Sequence, residues 1–281
     1  MTLQRKIKSN IRNFAPELID KIQIVIGKTD KTYGGEFATL SQILDKLDIS
    51  TFLEFVDIGA GDGYNMSVAF PISKKFACRG LLIEPNLKQL ERARRLFRNE
   101  DFQFNSEYTT PHNIPSILTE AGFSNPTYIK IDIDSFDLDL LRGILLNNVR
   151  PKVFSIEINE LFPPPCKFEV KYTGYQVQVS QPLYGCSLQS VTDFANEMDY
   201  SLISLAFNNA FYVDNSLEPI GFHDKNVDIK EIYNSGFLNR NWQTLYPWDV
   251  KFEDWLYASP SELYKKIENH KSFDRSSMVI G

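Results

Sequence analysis

Two carboxylates at alternate positions close a segment that is apolar but for Lys130, Tyr128-Ile129-Lys130-Ile131-Asp132-Ile133-Asp134. A strand inside a parallel sheet is normally apolar on both faces, so charges there need something positive or hydrogen-bonding opposite them. The next strand-like run repeats the anomaly, with Ser155, Glu157 and Asn159 on one face of Val153 to Glu160. If the two strands are neighbours, Asp132, Asp134, Glu157 and Asn159 bring four oxygen-bearing side chains together. Oxygen-only ligands suit Mg²⁺ or Mn²⁺ better than zinc. Asp134 or Ser135 could instead cap the helix that follows, with Asp137 as its first-turn acid. In the catalytic reading, Asp134 and Asp137 are candidate general bases. His112, in Thr110-Pro111-His112-Asn113, is a third, placed to reach a pocket rim from the end of the third strand.

A second constellation would hold a ligand rather than transform it. Phe55-Val56-Asp57-Ile58-Gly59-Ala60-Gly61-Asp62-Gly63-Tyr64 is an apolar strand entering three glycines at alternate positions. Glycines let the chain turn sharply and let a ligand lie against bare backbone, and a helix beginning near Asn65 would add unpaired N–H groups. The spacing is Gly-x-Gly-x-Gly rather than the Gly-x-Gly-x-x-Gly of dinucleotide binding. Asp57 would repel a pyrophosphate there but could accept from an ammonium group. Leu81-Leu82-Ile83-Glu84 ends in an acid where a ribose diol would be gripped. Asn105, Ser106 and Glu107 end the third strand, where an adenine would lie, with Ser106 as the candidate contact.

The elements that must position these groups alternate. Helices are expected near 36–47, 65–75, 86–98, 113–121, 136–147 and 188–198, between strands near 52–58, 80–84, 102–106, 128–134 and 152–158. That pattern predicts an α/β doubly wound, Rossmann-like sheet. Tyr200 to Phe207 and Ala210 to Val213 add two strands around a two-residue Asn208-Asn209 turn suited to positive φ. Residues 1–35 would form a cap or interface segment, 36–213 the main domain and 214–281 a C-terminal extension. A proline-rich insertion over 161–185 follows the fifth strand, where long connections usually serve as lids. The aromatic cluster from Trp242 to Tyr257 is expected to be packing or a subunit interface, so homo-oligomers through either terminal segment are anticipated.

Bulk properties narrow the class. With 281 residues and 43% apolar content, a large core is available. A net charge of −6 argues against a broad nucleic-acid footprint, and the arginines from Arg92 to Arg98 read as a solvated face. Three cysteines without a Cys-x-x-Cys pair indicate neither disulfides nor a zinc site, which fits a reducing cytoplasm. No apolar run approaches the roughly 18 residues needed to span a bilayer.

Together the glycine turn and Glu84 resemble motif I and the ribose-binding acid of class I S-adenosylmethionine-dependent methyltransferases, and the closing hairpin is similar to theirs. The run Ile129 to Gly143 further resembles the signature of the FkbM-type members, although Ser135, Phe136 and Asp137 stand where that family usually has glycine and an alanine-glutamate pair. Closer still is a subgroup with Asp-x-Asp-x-x-Asp, Glu-x-Asn, a proline-rich lid and a segment like Tyr184-Gly185-Cys186-Ser187. The resemblance implies a seven-stranded sheet and S-adenosylmethionine held by Asp57, Gly59, Gly61, Gly63, Glu84, Ser106 and Asp132. It also implies O-methylation of a small-molecule or glycan hydroxyl, and the oxygen cluster at the strand ends adds Mg²⁺ or Mn²⁺ as the expected second cofactor. Metal-free N- or carboxyl-methylation, or a silent cofactor-binding subunit, are the alternatives.

Overall fold

The computed structural model describes residues 32–49, 52–174, 182–217 and 228–281. The N-terminal segment expected to cap the domain falls mostly outside them. Strands β1 (Leu53–Ile58), β2 (Cys78–Ile83), β3 (Asp101–Asn105), β4 (Tyr128–Ile131) and β5 (Val153–Glu157) run parallel, and β7 (Tyr200–Ala206) with β8 (Asn209–Asp214) closes the sheet antiparallel. The order β3-β2-β1-β4-β5-β8-β7 is the doubly wound, seven-stranded architecture expected from the sequence.

Alternation along the strands explains why both faces are covered. Phe55, Leu82, Tyr128 and Val153 point to one side and pack on α1 (Glu36–Lys46), α2 (Ala69–Lys75) and α3 (Leu87–Leu96). Val56, Ile83, Ile129 and Ile156 point to the other, against α4 (Ile114–Glu120), α5 (Asp137–Leu145) and α6 (Leu188–Glu197). Each such side chain, fully buried, stabilises the fold by roughly 1.5–3 kcal/mol. Asp132, Asp134 and Glu157 lie at or just beyond the carboxyl ends of β4 and β5.

Three expectations change. The helix after the glycine turn begins at Ala69 rather than near Asn65, because Asp62 accepts from the Tyr64 and Asn65 amides and holds a turn there instead. The hairpin turns on Phe207-Asn208, one residue early, with Phe207 at φ 56°. Pairing decides this: Asn209 lies opposite Ala206 and, on β5, opposite Glu157. The insertion after β5 is only partly a free connection. Its β6 (Phe168–Val170) pairs with the C-terminal β9 (Met278–Ile280), and Phe162, Cys166 and Phe168 pack with Trp255, Leu263 and Ile267; residues 175–181 lie outside the described residues. The C-terminal extension, whose aromatic cluster is expected to be packing or an interface, packs on the main core through Tyr233, Phe237, Trp242 and Tyr246. Among the described residues no helix is long and apolar enough to cross a membrane.

Candidate active site

The strand ladders continue a step beyond the strands and set the depth of the site. Gly59 donates to the Ile83 carbonyl at 2.9 Å, Glu84 to that of Asn105 at 3.0 Å, and Asp132 to that of Ile58 at 3.0 Å. At Gly59 a side chain is impossible: φ is 86°, and an added Cβ would lie 1.8 Å from the Asp132 carbonyl oxygen. Gly63 serves packing instead, as a Cβ there would meet the Phe97 ring at 2.5 Å. It does not line the cavity that opens beside the turn.

That cavity, about 630 Å³, is lined by Gly59, Ala60, Gly61, Glu84, Gln89, Tyr108, Thr109, Thr110, Ile133, Phe136 and Tyr172 among others. The size suits a nucleoside-sized ligand. Glu84 is pinned at its floor, accepting from the Gly61 amide at 2.9 Å and the Asn86 amide at 2.7 Å. A carboxylate oxygen bonded once still has a lone pair for a ribose hydroxyl.

Besides Gly63, two expected cofactor contacts do not reach this space. Asp57 is 1% exposed, and its Oδ2 accepts from the Ser67 hydroxyl at 2.8 Å, so it braces the loop from beneath. Ser106 is exposed beyond the cavity, and Tyr108, Thr109 and Thr110 line it instead. These three were not legible as ligands because they follow the strand in an irregular stretch, held by Asn113 through the Thr110 amide and the Tyr108 carbonyl.

Beside it lies a second cavity of about 370 Å³, lined by Glu36, Met66, Lys130, Asp132, Asp134, Glu157, Tyr184, Asn208, Asn209, Tyr246 and Trp248. Met66, Asp132 and Asp134 wall both cavities. At its base, Lys130 Nζ contacts Glu36 and Asp132, each at 3.1 Å. Burial alone would discharge Lys130, but Glu36, Asp132 and Asp57 outweigh it and raise its pKa well above the lysine range. Glu36 shares that single ammonium with two other acids. Burial pushes its carboxyl up to about 7 despite Lys130.

Asp132, Asp134 and Glu157 each offer an oxygen within 4.8 Å of the others. Asp134 sits at φ 55°, in the left-handed region that residues other than glycine seldom adopt. Burial, then the charges of Asp132 and Asp134, raise Glu157 well above the ordinary carboxylate range. Burial and then Asp132 raise Asp134 as well. Asn208 Nδ2 donates to Glu157 at 2.6 Å, and the Tyr246 hydroxyl donates to Asn208 Oδ1 at 2.8 Å. Asn209 Oδ1, opposite Glu157, is buried with no donor among the described residues.

The remaining candidates are drawn away by local bonding. Asn159 is fully buried; its amide donates to the Pro182 and Tyr184 carbonyls and its oxygen accepts from the Leu161 amide, so it fixes the insertion rather than joining the acidic trio. Asp137 spends both oxygens on the Ile133 and Ser135 amides at 2.9 Å and lines neither cavity. It shapes the turn instead of acting as a base, and burial raises it to about 7. His112 is exposed, with its ring edge-on to Tyr172 at 5.7 Å, outside both cavities. The sequence reading overlooked Glu36, Lys130, Asn208, Tyr246 and Trp248. Lys130 alone carried a signal, as a charge in mid-strand.

No family model and no curated protein sequence matches the chain. Among solved structures it is similar to the methyltransferase FkbM from Methylobacillus flagellatus, at 19% identity over 58% of this chain and 44% of that one, with a TM-score of 0.39. The chain thus spans less than half of that protein's length. It is also similar to magnesium protoporphyrin IX methyltransferase from Synechocystis with bound S-adenosylmethionine (10% identity, 74% and 96% coverage, TM-score 0.40). A third is precorrin-6y C5,15-methyltransferase from Geobacter metallireducens (15% identity, 62% and 84% coverage, TM-score 0.37). At these identities function has to be read from the two cavities.

Proposed function

We propose that the chain is an S-adenosylmethionine-dependent methyltransferase acting on a hydroxyl, on a sugar or glycoconjugate, with a divalent cation at Asp132, Asp134 and Glu157. One observation carries this reading: a nucleoside-sized cavity on a glycine turn opens, through Asp132 and Asp134, onto a smaller polar cavity. A donor in the first would present its methyl group to an acceptor in the second. The acceptor oxygen attacks the methyl carbon in line, the carbon–sulfur bond breaks, and S-adenosylhomocysteine leaves with both bonding electrons. The hydroxyl proton passes to Asp134 or Glu157, the acids at the shared wall. A hard cation held by the trio would lower the pKa of the acceptor hydroxyl. It would also relieve three carboxylates crowded together, a like-charge arrangement that otherwise needs shared protons.

The acidic wall with Trp248 beside it also favours a second reading, in which a protonated amine occupies the cavity and N-methyl transfer proceeds without metal. Radiolabelled S-adenosylmethionine, offered with panels of neutral saccharides and of amines, separates the two. Transfer to a saccharide that EDTA abolishes and Mg²⁺ or Mn²⁺ restores is expected, with Asp134→Asn weakening Mn²⁺ binding in calorimetry. Transfer to amines alone, indifferent to EDTA, would overturn the hydroxyl and metal assignment.

A further inference from the structure

The C-terminal extension reaches the acceptor cavity through Tyr246 and Trp248, and the next residue, Asp249, is one of two carboxyls buried together. Asp249 and Glu160 are both 0% exposed. Glu160 Oε2 accepts from the Tyr184 hydroxyl at 2.7 Å, whereas Glu160 Oε1 and both Asp249 oxygens find no donor among the described residues. The two carboxyls lie within hydrogen-bonding reach of each other. Glu157 and Tyr184 act on the pair from the sheet side, and Tyr233 from the extension, its hydroxyl donating to the Glu160 carbonyl at 2.5 Å. Lys251 adds positive charge from an exposed position.

Two ionised carboxylates in that setting would repel each other without water to screen them, and one proton between them turns the repulsion into a hydrogen bond. We propose that Glu160 and Asp249 share a single proton, and that this bond latches the extension so that Tyr246 and Trp248 wall the acceptor cavity. The pair positions the cavity and does not touch the reacting atoms. Its role in acceptor binding rests on the methyltransferase reading; the bond itself does not.

The latch ties directly to the candidate chemistry, because Tyr246 bonds Asn208 and Asn208 bonds Glu157. Burial first, then the like charge of Asp249, raise Glu160 well above the carboxylate range, and burial raises Asp249. An acid raised on folding contributes stability that is complete below its unfolded pKa and is lost as pH rises through the folded one. The latch therefore holds in acid and loosens in alkali.

Hydrogen–deuterium exchange of the full chain tests this without an acceptor. Corrected for intrinsic rates, protection of residues 242–252 should fall between about pH 6 and about pH 9.5 by about tenfold or more beyond any fall in β1 and β4. In Asp249→Asn a neutral amide donates to Glu160 and has no proton to lose in this range, so protection of 242–252 should become independent of pH. Glu160→Gln should do the same, and it carries the test if the first variant does not fold. Protection that is flat with pH in the wild type, or variants that keep the wild-type pH dependence, would overturn the latch. S-adenosylhomocysteine titrated in parallel isolates the other question, since its failure to bind would sink the methyltransferase reading and leave the latch standing.

Discussion

Lys130 decides which carboxylates at the strand ends are left for chemistry. Its ammonium is engaged by Glu36 and Asp132, with Asp57 adding to the same field, so Asp134 and Glu157 line the smaller cavity with no ion-pair partner among the described residues. The arrangement has a pH consequence. Glu36 is raised from 4.5 to about 7, chiefly by burial, so its contribution to stability is complete below 4.5 and is lost as pH rises through about 7. Glu36→Gln should remove that loss: the wild-type melting temperature should drop relative to the variant's across this window, and parallel curves would contradict the assignment. Residue type and alternation made Asp132, Asp134 and Glu157 legible in the sequence, because a carboxylate in a central strand is anomalous wherever it occurs. Asn159 and Asp137 looked equivalent but are spent on backbone groups, a distinction that depends on where loops pass and not on pattern.

At the scale of elements, the parallel strands and their helices followed from periodicity because burial on both faces leaves few alternatives. What failed was local. A single Asp62 side chain displaced the start of α2, and the hairpin turn was drawn to Phe207-Asn208 by the pairing of Asn209 with Glu157, against the propensity of two asparagines to form the turn. The connection after β5 is now divided by its contacts. Phe162 to Val170 is fixed by β9 and by the packing under Trp255, and the Pro182 and Tyr184 carbonyls are held by Asn159. Shortening residues 175–181 between those anchors should spare S-adenosylhomocysteine affinity and lower methyl transfer. Equal loss of both would show that the stretch supports the fold rather than the acceptor.

For the whole molecule, the C-terminal extension is part of the core rather than an appendage. Phe237 is fully buried, and Tyr233 and Trp242 are 1% exposed, all within the cluster that covers β4 and β5. Removing one such aromatic side chain typically costs about 3–5 kcal/mol, against a total stability of about 5–15 kcal/mol for a domain. Truncation after Asp214 should therefore abolish the cooperative melt, and a truncated chain that melted cooperatively near the wild-type temperature would show the extension to be dispensable. Sequence could not foresee that Tyr246 and Trp248 would wall the second cavity, since residues about ninety positions beyond Glu157 are brought there by packing alone.

Calorimetric titration with S-adenosylhomocysteine, with NAD as the rival ligand, addresses the assignment of the glycine-turn cavity most directly. S-adenosylhomocysteine should bind in preference to NAD. Glu84→Ala should weaken it by about 1.5–3 kcal/mol, through loss of a charge-assisted ribose contact. Preferential binding of NAD, or S-adenosylhomocysteine binding that is indifferent to Glu84→Ala, would contradict the placement of the methyl donor between Gly59, Gly61 and Glu84.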